Sequence, residues 1–229
     1  MTSGLIVFQS DLFVAADKPA GWLSVPSRWG GRDERPVLGR ELETLTGGRL
    51  WPVHRLDEEA TGLILFARTA AAHAEASGWF EHRRVTKTYE ALSELPAGEA
   101  PPEGELQTWR STLLRGKKRA YESPHGKQAE TRALLLGSAP APDGVALGWV
   151  LEPVTGRSHQ LRWELWKRGC PILGDELYGA RRPFVPGAIA LRCVRLRFPE
   201  EAARVPGALP PALEVGHLGP WVARITQRA

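Results

Sequence analysis

The sequence predicts an α+β fold, built on a mainly antiparallel, twisted β-sheet with helices and loops around it. Short apolar runs of strand length recur along the 229 residues, and three segments have the spacing of helices. Strands and helices are mixed without a regular βαβ rhythm, which argues against a parallel sheet. Hydrophobic residues make up 42% and charged residues 24% of the chain, as in ordinary globular proteins. We therefore expect a well-packed core.

The first half of the chain contains four strand candidates and two helix candidates. The predicted strands span residues 5–8, 12–16, 62–68 and 85–95. Helical spacing begins at Val37 and stops at two glycines, Gly47 and Gly48. A second helix follows Thr69, whose hydroxyl is a candidate N-cap.

The second half predicts three further strands, at residues 131–136, 145–153 and 188–198. Between the last two strands, TGRSHQLRWELWKRG reads as a short helix that ends at Gly169, with Thr155 and Ser158 as candidate caps. Five prolines follow Phe198, so residues 199–229 are expected to form an irregular C-terminal extension.

Charge and cysteine content narrow the functional classes. The net charge is +4, and five cations lie between Arg110 and Arg119 with no acid among them, a pattern that suits RNA phosphates or a solvated loop. Cys170 and Cys193 form no CxxC pair, so a metal site has little support and a reducing cytoplasm is expected. We expect no signal peptide and no membrane helix, because no apolar stretch is long enough.

Several side chains could carry chemistry. Asp57 lies beside His54, Arg55, Glu58 and Glu59 just before a buried strand, a setting that suits a tuned carboxylate. The alternative is that Asp57 caps a turn and its charged neighbours are solvated. The motifs of dinucleotide enzymes, P-loop NTPases, zincins and serine hydrolases (GxGxxG, GxxxxGK[ST], HExxH and GxSxG) do not occur in the sequence.

The GRSHQLR segment and a strand tyrosine are the other candidates. A helix that starts near Ser158 places Ser158 and Arg162 on one face, where Arg162 could pair with a carboxylate or a phosphate, or could simply end at the surface. Tyr89, in KTYEAL, would by default bury its ring in the core. The residues alone leave these alternatives open.

The chain resembles the RluA-type family of RNA pseudouridine synthases in several segments that occur in the family's order. These are DLFVAADKPAGWLSVP, HRLDEEATGLILFAR, KTYEAL, GKQAETR, EPVTGRSHQLR and CPILGDELYG. The resemblance covers about residues 5–198 and implies a single catalytic domain over residues 1–229, with a central RNA-binding cleft and no preceding S4 domain. The expected substrate is a structured stem-loop of ribosomal or transfer RNA, and the expected state is a monomer that uses no cofactor and no metal.

The resemblance also implies roles for individual residues. Asp57 matches the family's essential aspartate, which either adds to the sugar or removes a proton from C2′. Arg162 matches the arginine expected to pair with that aspartate, and Tyr89 matches the tyrosine expected to stack on the uracil. The substrate-binding residues so implied are His54, Arg55, Arg157, His159, Lys117, Lys118, Arg119 and Lys127, with Arg55 helping to displace the target nucleotide.

The sequence departs from the family pattern at three places: Ala60 with Thr61, Trp163 with Glu164, and Arg192 with Cys193. These departures put substrate choice and local packing in doubt more than activity. An RNA-binding or folding factor without chemistry is the main alternative. A carboxylate-based glycoside hydrolase, with Glu58 or Glu59 as a second carboxylate, is remote.

Overall fold

A computed structural model describes residues 4–27, 33–141, 143–204 and 207–218 of the chain. The chain divides into two compact units. Unit 1 comprises Met1–Thr86 and Cys193–Val215, and unit 2 comprises Lys87–Arg192 and Gly216–Ala229. Within the described residues, every helix is too short or too polar to cross a membrane.

The strands, in chain order, are β1 (Ile6–Gln9), β2 (Phe13–Lys18), β3 (Trp51–Pro52), β4 (Thr61–Ala67), β5 (Thr86–Ser93), β6 (Leu106–Arg115), β7 (Ala120–Glu122), β8 (Lys127–Ala141), β9 (Gly144–Pro153), β10 (Leu191–Arg197) and β11 (Ala212–Glu214). The helices are α1 (Leu38–Thr46), α2 (Ala70–Glu81) and α3 (Gln160–Lys167), and two 3₁₀ turns span Glu176–Tyr178 and Glu200–Ala203.

Unit 1 is built on antiparallel strands with an apolar core. β2 pairs with β1 on one side and with β4 on the other, β3 adds to the end of β4, and β11 pairs with β10. The core cluster is formed by Val14, Ala16, Leu38, Leu42, Leu50, Ile64 and Phe66. Because β4 is buried along nearly its whole length, it is a rigid base for the loop that precedes it.

Unit 2 contains the antiparallel series β5–β9–β8–β6–β7. Tyr89 of β5 pairs with Leu151 of β9, and the fully buried Trp149 donates its indole N–H to the Ser93 hydroxyl at 2.8 Å. Helix α3 packs through Trp163 against a cluster that also contains Leu113, Ala129 and Tyr178.

The described strands and helices confirm the predicted α+β class with antiparallel pairing. The helix predicted after Thr69 is α2, and the Thr69 hydroxyl accepts from the Ala72 N–H at 3.1 Å, as an N-cap does. The strand predicted at 62–68 is β4, and the strand predicted at 85–95 is β5.

Three expectations are corrected. The basic segment from Arg110 to Arg119, for which a solvated loop was one expectation, lies in β6 and the turn before β7, and buried positions alternate along β6 at Trp109, Ser111 and Leu113. Helix α3 starts at Gln160, close to the predicted start near Ser158, but neither Thr155 nor Ser158 caps it. The extension after Phe198 contains a 3₁₀ turn and β11, since β11 can pair with β10; residues 219–229 lie outside the described part.

Candidate active site

Asp57 lies on the connection between β3 and β4 in unit 1, as the sequence predicted. Its side chain is half-buried, and the preceding Leu56 is buried. The Leu56 backbone is fixed twice by Ser24, since the Ser24 hydroxyl donates to the Leu56 carbonyl at 3.0 Å and accepts from the Leu56 N–H at 3.1 Å. The residue before Asp57 is therefore held firmly to the loop after β2.

A buried lysine holds the other side of this loop. Lys18, at the end of β2, donates from Nζ to the carbonyls of Pro19, Trp22 and Glu58 at 2.8, 2.9 and 2.8 Å. Burial lowers the pKa of Lys18 to about 8, and the negative charge of Asp57 is the largest of the opposing effects. The Lys18 ammonium thus places a positive charge beneath the acidic loop and fixes its backbone.

A close backbone approach fixes the start of β4. Gly62 has a φ of +106°, and a Cβ at this position would lie 2.2 Å from the Cys193 carbonyl oxygen. No side chain fits in that space, so position 62 requires glycine on both conformational and steric grounds. The four residues between Asp57 and Gly62 therefore end at a backbone position that is fixed against Cys193.

His54 and Arg55 differ although both were predicted to bind substrate. The His54 ring stacks on Phe80 with centroids 4.8 Å apart, and its Nε2 accepts from the Leu65 N–H at 3.1 Å. Since Nε2 accepts here, this contact needs a neutral imidazole. Arg55 is exposed. His54 therefore shapes the loop, while Arg55 is accessible to a large ligand.

In unit 2, Arg162 lies in the first turn of α3 and is almost completely buried. Its Nε and Nη2 donate to the two carboxylate oxygens of Asp175 at 2.7 and 2.8 Å, a bidentate pair that leaves Nη1 outside this contact. The guanidinium carbon also lies 5.4 Å from the centroid of the Tyr178 ring. Arg162 is thus held in one orientation.

Tyr178 connects this arginine to the β6–β7 turn. Its hydroxyl accepts from the Ala120 N–H at 2.8 Å and lies 3.3 Å from Nδ1 of His159. His159 has a φ of 52°, a left-handed conformation at the start of α3. The predicted residues His159 and Arg162 therefore meet around the buried Tyr178 ring.

A glutamine network replaces the expected caps of α3. The Gln160 side chain accepts from the Thr155 hydroxyl at 2.7 Å and from the Arg157 N–H at 3.0 Å, and its amide donates to Thr131 at 2.8 Å. Arg157 in turn donates from Nε to the Gln128 carbonyl at 2.9 Å. Arg157, predicted to bind substrate, is partly used to join α3 to β8.

Tyr89 and Glu90 occupy successive positions of β5, so their side chains point to opposite faces. Tyr89 is 8% exposed, and the Glu90 carboxylate is buried. Glu90 accepts from the Leu218 N–H at 2.8 Å and bonds to Nδ1 of His217. The strand that carries Tyr89 is therefore tied to residues near the described C-terminal end.

The cations predicted to grip RNA lie at the tips of β6, β7 and β8. Lys117, Lys118 and Arg119 form the exposed turn between β6 and β7, and Lys127 is exposed at the start of β8. The Arg119 guanidinium carbon lies 5.7 Å from the Trp166 ring centroid, which restrains that side chain.

Neither cysteine has the environment of a reactive thiol. Both are buried, and burial raises the pKa of the Cys170 thiol to about 11. Among the residues that the structure describes, no three His, Cys, Asp or Glu side chains are arranged to hold a metal ion.

Comparison with known proteins decides the family. A family model described as RNA pseudouridylate synthase matches residues 12–166. The chain is 35% identical over 183 residues to the dual-specificity RNA pseudouridine synthase RluA of Escherichia coli (strain K12), with 77% of each chain covered. The chain belongs to the RluA-type family of RNA pseudouridine synthases.

Other relatives and solved structures agree. The chain is 31% identical over 197 residues to tRNA pseudouridine synthase C of Salmonella typhi, covering 83% of this chain and 75% of the relative. The structure of human RNA pseudouridylate synthase domain containing 1 superposes with a TM-score of 0.70 at 24% identity, covering 97% of this chain and 94% of that chain. That structure supports the fold alone. The family model and the named relatives together identify the chain as an RNA-modifying isomerase.

Two residues of this synthase were missed by sequence reasoning as parts of the site. Asp175 and Tyr178 lie in CPILGDELYG, a segment recognised for its resemblance but given no role. The available signal was an acidic residue and an aromatic residue three positions apart in one short segment that resembles the family. What the sequence could not show is that both contact Arg162.

Two of the three departures from the family pattern lie at buried or hydrogen-bonded positions, although the Trp163 indole N–H and Glu164 Oε1 are buried without a hydrogen-bond partner among the described residues. Trp163 joins the buried cluster of unit 2, and Glu164 is fully buried with its Oε2 accepting from Arg168 at 2.6 Å. Arg192 donates to the Gly216 carbonyl at 2.7 Å, and Cys193 is buried. The hydrogen bonds of Glu164 and Arg192 both lie within unit 2.

Proposed function

We propose that this synthase isomerises uridine in transfer or ribosomal RNA to pseudouridine, with Asp57 as the catalytic carboxylate. The observation that carries the proposal is the Asp57 loop, which is half-buried and held from both sides by Ser24 and Lys18. Relatives named for tRNA and for dual-specificity activity suggest the substrate class.

The reaction needs the N-glycosidic bond to break, the uracil to turn while it is held, and C5 to bond to C1′. The C5 proton is then lost to solvent, and N1, which has lost its bond to the sugar, takes up a proton. Asp57 would start the reaction in its ionised form, by adding to C1′ or by removing a proton from C2′.

Tyr89 and Arg162 complete the proposed catalytic set. Tyr89, on β5, would stack on the uracil, and Arg162 would pair with the catalytic carboxylate. Support for the Arg162 role comes from its bidentate contact with Asp175, which fixes its orientation and offsets the cost of a buried charge. The stacking of Tyr89 on uracil and the pairing of Arg162 with Asp57 are both predictions from the family resemblance.

RNA binding would use the exposed cations. Arg55 is exposed on the Asp57 loop and would help to displace the target nucleotide, because the glycosidic bond must leave the base stack before it can react. The exposed Lys117, Lys118, Arg119 and Lys127 would contact phosphates, which predicts affinity that falls as salt rises. We further propose a monomer that works in the cytoplasm.

The test is tritium release from RNA labelled at C5 of uridine, using total RNA from cells that lack this protein. Wild-type protein should release tritium, and Asp57→Ala should reduce the rate by about 10⁴-fold or more, the scale expected for loss of a nucleophile or base. Asp57→Asn is the matched control for shape, and should be as inactive while keeping RNA affinity. Wild-type turnover by either variant would refute the role of Asp57, and RNA binding without release would favour a non-catalytic factor.

A further inference from the structure

The turn between β6 and β7 has one face anchored to unit 2 and another open to solvent. On the anchored face, Ala120 is buried and its N–H donates to the Tyr178 hydroxyl. Glu122, two residues on and on the same face, accepts twice from Nζ of Lys167 at 2.9 and 2.8 Å. These contacts hold β7 in place.

Tyr121 lies between these two anchors and faces the opposite way. Its side chain is 44% exposed, and it pairs across the hairpin with Leu114 of β6. β7 is the last strand of its series in unit 2, so no further strand of that series covers it. Its hydroxyphenyl ring is therefore presented to solvent on an anchored strand.

A glycine lets the Tyr121 ring lie against the turn. A Cβ at Gly116 would be 2.7 Å from the Arg119 carbonyl oxygen and 3.3 and 3.4 Å from Cε1 and Cδ1 of Tyr121. A larger residue would push the ring or the turn away. The small size of Gly116 therefore leaves room for the Tyr121 ring beside the turn.

The surroundings of the ring are cationic. Lys117 and Lys118 are both exposed in the same turn as the ring. An exposed ring beside cations is the arrangement that binds a nucleotide, because the ring stacks on the base while the cations contact phosphates. An exposed leucine or valine would offer neither stacking nor rigidity.

We propose that Tyr121 is a stacking platform for an unpaired base of the RNA substrate, away from the uridine that reacts. This inference rests on the proposed function, since it assigns a second nucleotide contact to the same RNA. Stacking is tolerant of base identity, so Tyr121 would select for unpaired structure and not for sequence.

The experiment measures the affinity of the full chain for a short oligouridylate and for a blunt RNA duplex, over a range of salt concentrations. Tyr121→Ala should weaken oligouridylate binding about 5- to 100-fold and leave duplex binding unchanged, because a duplex offers no unstacked base. Tyr121→Phe, which keeps the ring, should restore affinity to about the wild-type value. Leu106→Ala is the matched control, since it removes an exposed apolar side chain at the other end of β6.

The salt dependence separates stacking from charge. Tyr121→Ala should keep the wild-type slope of log affinity against log salt, whereas Lys118→Ala should reduce that slope by about 1. Equal affinities of Tyr121→Ala and Leu106→Ala for oligouridylate would overturn the platform, as would equal weakening of duplex binding. Tritium release tests the proposed function separately. If the wild-type protein releases tritium but the binding results contradict the role of Tyr121, only the stacking proposal is wrong.

Discussion

The Asp57 loop of unit 1 and the start of α3 in unit 2 are fixed by different kinds of contact. Around Asp57 the contacts are to backbone: the Lys18 ammonium serves three carbonyls, and Ser24 serves the N–H and carbonyl of Leu56. Around Arg162 they join side chains, chiefly the Asp175 carboxylate. The first arrangement tolerates change in the side chains of the loop, whereas the second depends on two particular residues.

The largest expected effect breaks the second arrangement. Asp175→Ala leaves the Arg162 charge buried without its carboxylate partner, which should lower the free energy of unfolding by about 3 to 5 kcal/mol, measured by urea denaturation. Glu200→Ala, which removes an exposed ion pair with Arg204, is the control and should change stability little.

A double substitution then separates stability from activity. Arg162→Met with Asp175→Leu replaces the pair by apolar side chains and should recover most of the lost stability, but not tritium release. Turnover by this double variant at the wild-type rate would show that Arg162 takes no part in the reaction.

The next prediction uses the titration of Lys18. A neutral amine has two N–H groups for three carbonyls, so the Asp57 loop should loosen as Lys18 loses its proton with a pKa of about 8. The turnover number should fall about tenfold per pH unit above this value. Stability changes in the opposite direction. The pKa of Lys18 is about 8 in the folded protein and 10.5 in the unfolded chain, so between these two pH values the unfolded chain binds more protons. Lys18 therefore makes the free energy of unfolding rise with pH over this range.

The measurement is a pH–rate profile at saturating RNA beside denaturation at each pH. Lys18→Met is the matched variant, since methionine has a side chain of similar length that cannot titrate. Its residual turnover number should therefore not fall at alkaline pH. An unchanged alkaline fall in Lys18→Met would assign that titration to another group.

The smallest expected effect concerns Tyr178. Tyr178→Phe removes the hydroxyl that accepts from Ala120 and lies near His159, which should cost about 1 kcal/mol of stability. Because the hydroxyl positions the β6–β7 turn, KM for RNA should rise severalfold while the turnover number stays close to wild type. A fall in turnover with unchanged KM would instead place the effect at Arg162.

The contrast between the two regions also explains what sequence could predict. Helix α2 and strand β4 were predictable because their signals are local: the Thr69 cap and a continuous apolar run. β6 was missed because its charges suggested a loop, and one of its alternating buried positions is the polar Ser111. The caps of α3 were wrongly assigned because Gln160, a residue without a strong capping signal, organises that turn.

The site divides in the same way. Asp57, Tyr89 and Arg162 were predicted because their motifs resemble a family, and their roles are still to be tested. The role of Lys18 in holding the Asp57 loop could not be predicted, because its acceptors are backbone carbonyls, which every sequence contains. Asp175 was missed because nothing local says that it will reach an arginine thirteen positions earlier.

The contact of Glu90 with His217 and Leu218 bears on how the protein is made. Glu90 leaves the ribosome 127 residues before His217 and 128 before Leu218. During synthesis its carboxylate must therefore stay solvated, and β5 cannot reach its final environment until those late residues emerge. Translation thus sets a lower limit on when a growing chain can fold completely, and a pause late in the message would prolong the unfinished state.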